Sequence, residues 1–199
     1  IIPEQLLPTF NCNPIEMHLH RIKDLDEEFL YFNDDMFPMK ECKPTDFFRN
    51  GKGVIRVSYQ VLALDMFKQI CRNSTRAARE ALGLRPTFYF MRPQHICSPM
   101  FKSECEELYN KVEPAIRKSI SRVRTGENLN QYLFLDYMYL KGKIINERIS
   151  KKHFSVGVVS ATTLVSSFFP ALPQLTAIST APARNIALKI VFMDILLFI

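Results

Sequence analysis

Two groups of side chains within the first 35 residues have the types and spacing of a catalytic centre. Asn13, Glu16 and His20 recur at i, i+3 and i+7, which on one continuous helix puts an amide, a carboxylate and an imidazole on a single face. Such a stripe offers a general base and a group to orient it, although a polar face of this kind also serves simply to solvate a helix. Asp34 and Asp35 follow the apolar run Phe29-Leu30-Tyr31-Phe32 almost directly. Paired carboxylates at the C-terminal end of a strand are hard oxygen donors, suited to Mg2+ or Mn2+ and, through the ion, to a diphosphate. Taken alone, the same pair also reads as a turn or a helix cap.

These side chains need elements to hold them. Asn13-Pro14-Ile15-Glu16 predicts a helix start, with Asn13 as N-cap, Pro14 in the first helical position and Glu16 closing a capping box, the helix running to about Arg21. Phe29–Phe32 predicts a short buried strand ending at Asn33-Asp34-Asp35. Residues 57–83 predict two helices, the second capped by Asn73 or Ser74 and stopped by Gly83. Residues 102–142 predict further helix, with Ser103 and Glu106 as a capping box, then an aromatic-rich helix from Asn128 to Leu140 stopped by Gly142. Within it Tyr132, Leu135 and Tyr139 form a stripe expected to face the core.

The run Leu7-Pro8-Thr9-Phe10-Asn11, then Ile15-Glu16, His20-Arg21-Ile22 and Phe29–Phe37 resembles the second conserved region of the Stealth family. That family includes bacterial capsular polysaccharide phosphotransferases and the catalytic subunit of the lysosomal-enzyme N-acetylglucosamine-1-phosphotransferase. His95 with Pro99, then Arg122-Val123-Arg124 and Asn128–Phe134, resembles its third region, so the likeness covers about residues 1–150. The resemblance implies an α/β fold, a partial glycosyltransferase-like sandwich of Rossmann type, rich in helix. It implies transfer of a hexose 1-phosphate from a nucleoside-diphosphate sugar to a hydroxyl of a sugar or polysaccharide. Under that reading Arg124 grips phosphate, with Arg21 doing the same or pairing with Asp34. His95 or His20 takes the proton of the attacking hydroxyl, and Glu16 is a rival base or orients His20. Asp35 joins the catalytic set, Asp34 and Asp35 hold Mg2+ or Mn2+, and Asn11, Cys12, Arg21 and Asn33 contact substrate. Cys12 stands where the family usually has a small hydroxyl residue, and a thiol is the weaker hydrogen-bond donor.

Charge is divided along the chain. Residues 1–50 hold ten acids and five bases, whereas residues 51–199 hold ten acids and twenty-one bases. The basic body suits a phosphorylated substrate, and no nucleic-acid-binding motif accompanies it, so no nucleic-acid partner is expected. Five scattered cysteines without a C-x-x-C pair point to a reducing compartment, and no leader is visible, so the cytoplasm is expected. Residues 1–153 are expected to form the partial catalytic domain and 154–199 an apolar tail of uncertain structure. The tail carries no apolar run of membrane-spanning length, yet Ile186–Ile199 would suit peripheral contact with a membrane's inner face or with a partner. The family's first region is absent ahead of residue 1 and its fourth is not recognisable after about 155, a pattern expected of a truncated frame with a shifted end. Two other readings stand beside the first: a metal-dependent glycosyltransferase that leaves a nucleoside diphosphate, and a non-catalytic interaction module.

Overall fold

A computed structural model describes residues 2–33, 36, 38, 41–148 and 190–192. Its strands fall into three small sheets. Strand β1 (Glu28–Phe32) is the middle of the first, and Phe29, Leu30, Tyr31 and Phe32 are all buried, as the apolar run predicts. β6 (Ser98–Phe101) pairs with it antiparallel, Glu28 opposite Phe101 and Tyr31 opposite Ser98. β8 (Ile190–Phe192) pairs with its other edge in parallel, Leu30 opposite Ile190. Thus three residues of the apolar tail belong to this sheet; the rest of that tail lies outside the described residues.

The second sheet takes the order β2 (Phe48–Arg49), β3 (Lys52–Val54) and β7 (Ile144–Ile145). Asn50 and Gly51 join β2 to β3 with φ of 54° and 67°, the doubly left-handed turn that an Asn-Gly pair adopts most cheaply. The third sheet pairs β4 (Val57–Gln60) with β5 (Phe90–Pro93). Here the expectation of two helices over 57–83 fails at its first half. Residues 57–60 bond across to residues 90–93, and that non-local ladder outweighs local propensity.

Helix α3 (Met66–Ala81) starts at Asp65, whose carboxylate accepts the backbone N–H of Lys68 at 2.8 Å, not at Asn73 or Ser74. It stops as predicted at Gly83, φ 64°, with Leu84 N bonded to Arg79 O and Gly83 N to Glu80 O. α5 (Tyr132–Leu140) ends the same way at Gly142 but begins four residues later than Asn128. It is buried from Tyr132 to Met138, which makes it the central helix of the core, packed on α3. α4 (Lys102–Ser119) is bent at Val112, because Pro114 can neither donate to nor clear the preceding turn. Its predicted capping box is absent: Glu27 reaches over from before β1 and takes both the Ser103 hydroxyl and its N–H. Two short helices, α1 (Cys12–Glu16) and α2 (Pro44–Phe47), also lie among the described residues.

Candidate functional site

The N-terminal segment is anchored by asparagine. Asn11, not Asn13, caps α1, its Oδ1 accepting Asn13 N–H at 3.1 Å. Its Nδ2 donates to Ser121 O at 3.1 Å and to Asn128 Oδ1 at 3.0 Å. Asn128, 1 % exposed, is the hub of the irregular loop between α4 and α5. Its Nδ2 donates to Ser119 O and to Ser121 Oγ (2.8 Å), and its Oδ1 also accepts Thr125 N–H at 2.9 Å. Backbone N–H of Phe10 adds a bond to Arg122 O at 2.8 Å. The two segments, more than a hundred residues apart in sequence, are thereby fixed side by side.

Fixing them brings Arg124 to Cys12: a guanidinium Nη2 donates to Sγ, with the rest of Arg124 at the surface. Glu16, 3 % exposed, ends α1 beneath them. Its carboxylate accepts Tyr31 Oη–H at 3.2 Å and Gln131 N–H at 3.0 Å. With its amide turned nitrogen-inward, the Gln131 side chain donates to both Glu16 oxygens, at 3.2 and 2.7 Å. Burial raises the Glu16 pKa, while these donors and Arg124 pull it back. Burial first, then the Glu16 charge, pushes the Cys12 thiol up to about 12 against the opposing pull of Arg124. Burial and the Glu16 charge thus disfavour the thiolate form of Cys12.

A second contact group lies at the end of β1. Asn33 Nδ2 lies 3.0 Å from His95 Nε2, within hydrogen-bond distance. His95 is exposed on the loop between β5 and β6, its ring edge-on to Phe67 with centroids 6.3 Å apart. Phe67 in turn stands edge-on to Tyr132 at 5.9 Å, under the guanidinium of Arg92. The two groups join at both ends of this chain of contacts. Tyr31 holds Glu16 and Asn33, two residues on, meets His95; Gln131 holds Glu16 and Tyr132, next to it, supports Phe67. Asn11, Cys12, Glu16 and Arg124 thus form one cluster, and Asn33 and His95 a neighbouring one. Asp34 and Asp35 directly follow Asn33 but lie outside the described residues, as does any metal site built on them. Among the described residues no three His, Cys, Asp or Glu side chains converge as metal ligands.

His20 and Arg21 sit elsewhere, because α1 stops at Glu16 and the chain turns into a 3-10 turn at Leu19–Arg21. The predicted Asn13–Glu16–His20 face therefore does not exist. The His20 ring packs on Tyr109 (4.8 Å between centroids) and Phe134 (6.5 Å), and its Nδ1 has no hydrogen-bond partner among the described residues. Burial, then the charge of Arg21, lowers its pKa to about 4. Arg21 lies exposed with its guanidinium 4.8 Å from the Tyr109 ring centre. Reasoning from sequence missed Tyr31, Asn128 and Gln131 as supports. A usable signal was the group Asn128, Asn130, Gln131, three amides abutting an aromatic-rich helix whose one charged residue is Asp136.

Among the described residues no helix is long and apolar enough to cross a membrane. Residues 1–55 match the family model for conserved region 2 of Stealth proteins. Over 172 residues the chain is 32% identical to a capsular polysaccharide phosphotransferase of Actinobacillus pleuropneumoniae, covering 82% of this chain and 46% of that protein. A capsular polysaccharide phosphotransferase of Aeromonas hydrophila is 33% identical over 156 residues, 74% of this chain and 43% of the relative. One of Haemophilus influenzae is 34% identical over 155 residues, again 43% of the relative's length. The chain spans less than half the length of these relatives. The first 55 residues thus carry a Stealth conserved region, and most of the chain is similar to part of several capsular polysaccharide phosphotransferases.

Proposed function

We propose that this chain contributes to the centre of a transferase that moves a hexose 1-phosphate, such as N-acetylglucosamine 1-phosphate, from a nucleoside-diphosphate sugar to a sugar hydroxyl in capsule or exopolysaccharide synthesis. The observation that carries this reading is the pinning of Arg124 over Cys12 and Glu16, beside the end of β1, where Asn33 meets His95 of the β5–β6 loop. A guanidinium held in that way is a ready fork for phosphate oxygens. The acceptor oxygen bonds to the phosphorus next to the hexose, and the bond from that phosphorus to the nucleoside monophosphate breaks. The hydroxyl proton passes to the ring nitrogen of His95 that is not engaged by Asn33, the general-base role of an exposed imidazole. Glu16 orders the floor beneath Arg124 through Tyr31 and Gln131. Asp34 and Asp35, as hard oxygen donors, would hold Mg2+ or Mn2+, which would compensate charge on the phosphates.

In this reading the three small sheets are part of a Rossmann-type sandwich, and the kinship extends to the catalytic subunit of N-acetylglucosamine-1-phosphotransferase. The protein would work in the cytoplasm at the inner membrane face. The test is product identity. Purified chain incubated with UDP-N-acetylglucosamine, a saccharide acceptor and Mg2+ or Mn2+ is expected to release UMP, and Asp35→Ala to abolish the release. UDP in place of UMP would make it a glycosyltransferase; no nucleotide at all would favour a non-catalytic module.

A further inference from the structure

Beside the Arg124 cluster lies a cleft of about 620 Å3 that the proposed chemistry leaves unused, of a size typical for small-molecule sites. One wall is Gln69, Arg72 and Asn73, adjacent on the outer face of α3, whose inner face carries Ile70, Cys71, Ser74 and Thr75 into the core. The other wall is Thr125, Gly126 and Glu127. That wall is preformed: Asn128 N–H closes the turn onto Thr125 O at 3.3 Å, and Asn73 Nδ2 clamps Gly126 O at 2.8 Å. Gly126 lets the Gln69 amide lie against the turn, since a Cβ there would come within 2.2 Å of Gln69 Oε1. Asn73 Oδ1 is turned to Arg76 at 3.0 Å, and the Arg72 guanidinium is braced 5.8 Å from the Phe90 ring centre.

We propose that this cleft seats the acceptor saccharide, the reading resting on the transferase proposed above. Its lining mixes donors and acceptors: a guanidinium fork, a free-standing amide, a hydroxyl and a carboxylate, with one cation balanced by one anion. Vicinal sugar hydroxyls, each donor and acceptor at once, are matched by such a mixture. A phosphate-rich ligand would call for an excess of cations, a nucleobase for a stacking ring, and a lipid surface for apolar area; the lining supplies none of these. Thr125 directly follows Arg124, so a saccharide on this wall would lie next to the guanidinium that grips phosphate.

The test is an amide-resolved NMR titration of the full chain with three probes: tetra-N-acetylchitotetraose, a galactose-containing tetrasaccharide, and UMP. A tetrasaccharide is expected to shift Gly126 and Glu127 backbone signals and the Gln69 and Asn73 side-chain amides, while UMP shifts them little. Gly126→Ala, whose new methyl group displaces only the end of the Gln69 side chain, is expected to weaken saccharide binding about five- to tenfold. UMP perturbing the cleft, or both saccharides leaving it untouched at millimolar concentration, would overturn the assignment. UMP release from UDP-N-acetylglucosamine is measured on the same sample. Saccharide shifts in the cleft without release would keep the sugar site and sink the transferase. Release with saccharide shifts elsewhere would do the reverse.

Discussion

Asn128→Ala is the substitution that most directly probes how the site is assembled. The side chain, almost wholly buried, makes bonds to Asn11, Ser119, Ser121 and Thr125. Each is worth about 1 kcal/mol net, and the Thr125 and Ser119 groups are close enough to the surface to be partly rehydrated. Loss of the hub should therefore cost about 2–4 kcal/mol, a fall in Tm of very roughly 5–15 °C for a chain of this size. Urea denaturation gives the stability change, read from a shift of midpoint at constant slope. Nucleotide release is then measured well below the lowered Tm, where every molecule is folded. Because the same bonds set the loop that carries Arg124, turnover per folded molecule should drop at least about tenfold. A double-mutant cycle with Asn11→Ala should return a coupling of about 1 kcal/mol, as the two amides share one bond. A loss below about 1 kcal/mol would show that the hub does not hold the loop. A large loss of stability with turnover unchanged would show that the loop does not position the chemistry.

Arg124→Ala should leave Tm within about 2 °C, since the side chain is exposed, yet remove most turnover; parallel losses in melting and rate assays would refute the phosphate role. Cys12→Ser should be neutral or raise activity, because a hydroxyl in contact with Arg124 is the better partner for phosphate; a marked loss of stability in denaturant would mean the thiol is needed for packing. His20 is held neutral, its pKa depressed from 6.5 to about 4, so its contribution is present above pH 6.5 and is lost as pH falls towards 4. His20→Phe keeps the ring contacts with Tyr109 and Phe134 and should flatten that part of the stability–pH curve, as measured by urea midpoints at pH 7 and 5. An unchanged slope would contradict the burial argument.

What could be read from the residues was mostly local. Phe29–Phe32 is apolar on both faces and so is a buried strand wherever it is placed; Gly83 and Gly142 end helices because only glycine takes the left-handed turn cheaply. Caps were harder. Pro14 suits any place in a first turn, where N–H groups have no helical partner, so it does not single out Asn13 as the cap, and the structure uses Asn11 instead. Ser103 and Glu106 have capping-box spacing, but Glu27 competes from across the chain and occupies the serine. β4 was read as helix because its partner lies some thirty residues downstream. The site divides in the same way. Residue type and spacing pointed to Glu16, and the family resemblance to His95 and Arg124, whereas the contacts that group them run through Tyr31, Asn128 and Gln131. No spacing rule reaches pairs over a hundred residues apart.

The parallel seam between Leu30–Phe32 and Ile190–Phe192 has a practical consequence for anyone trimming this protein. The apolar tail looks dispensable, yet three of its residues satisfy the peptide groups along one side of the middle strand of its sheet. A version ended before residue 190 would bare a sticky, apolar ribbon able to recruit the same ribbon from another molecule. Poor solubility of a shortened version would then report an unsealed border, and supplying the missing strand as a fused peptide should cure it.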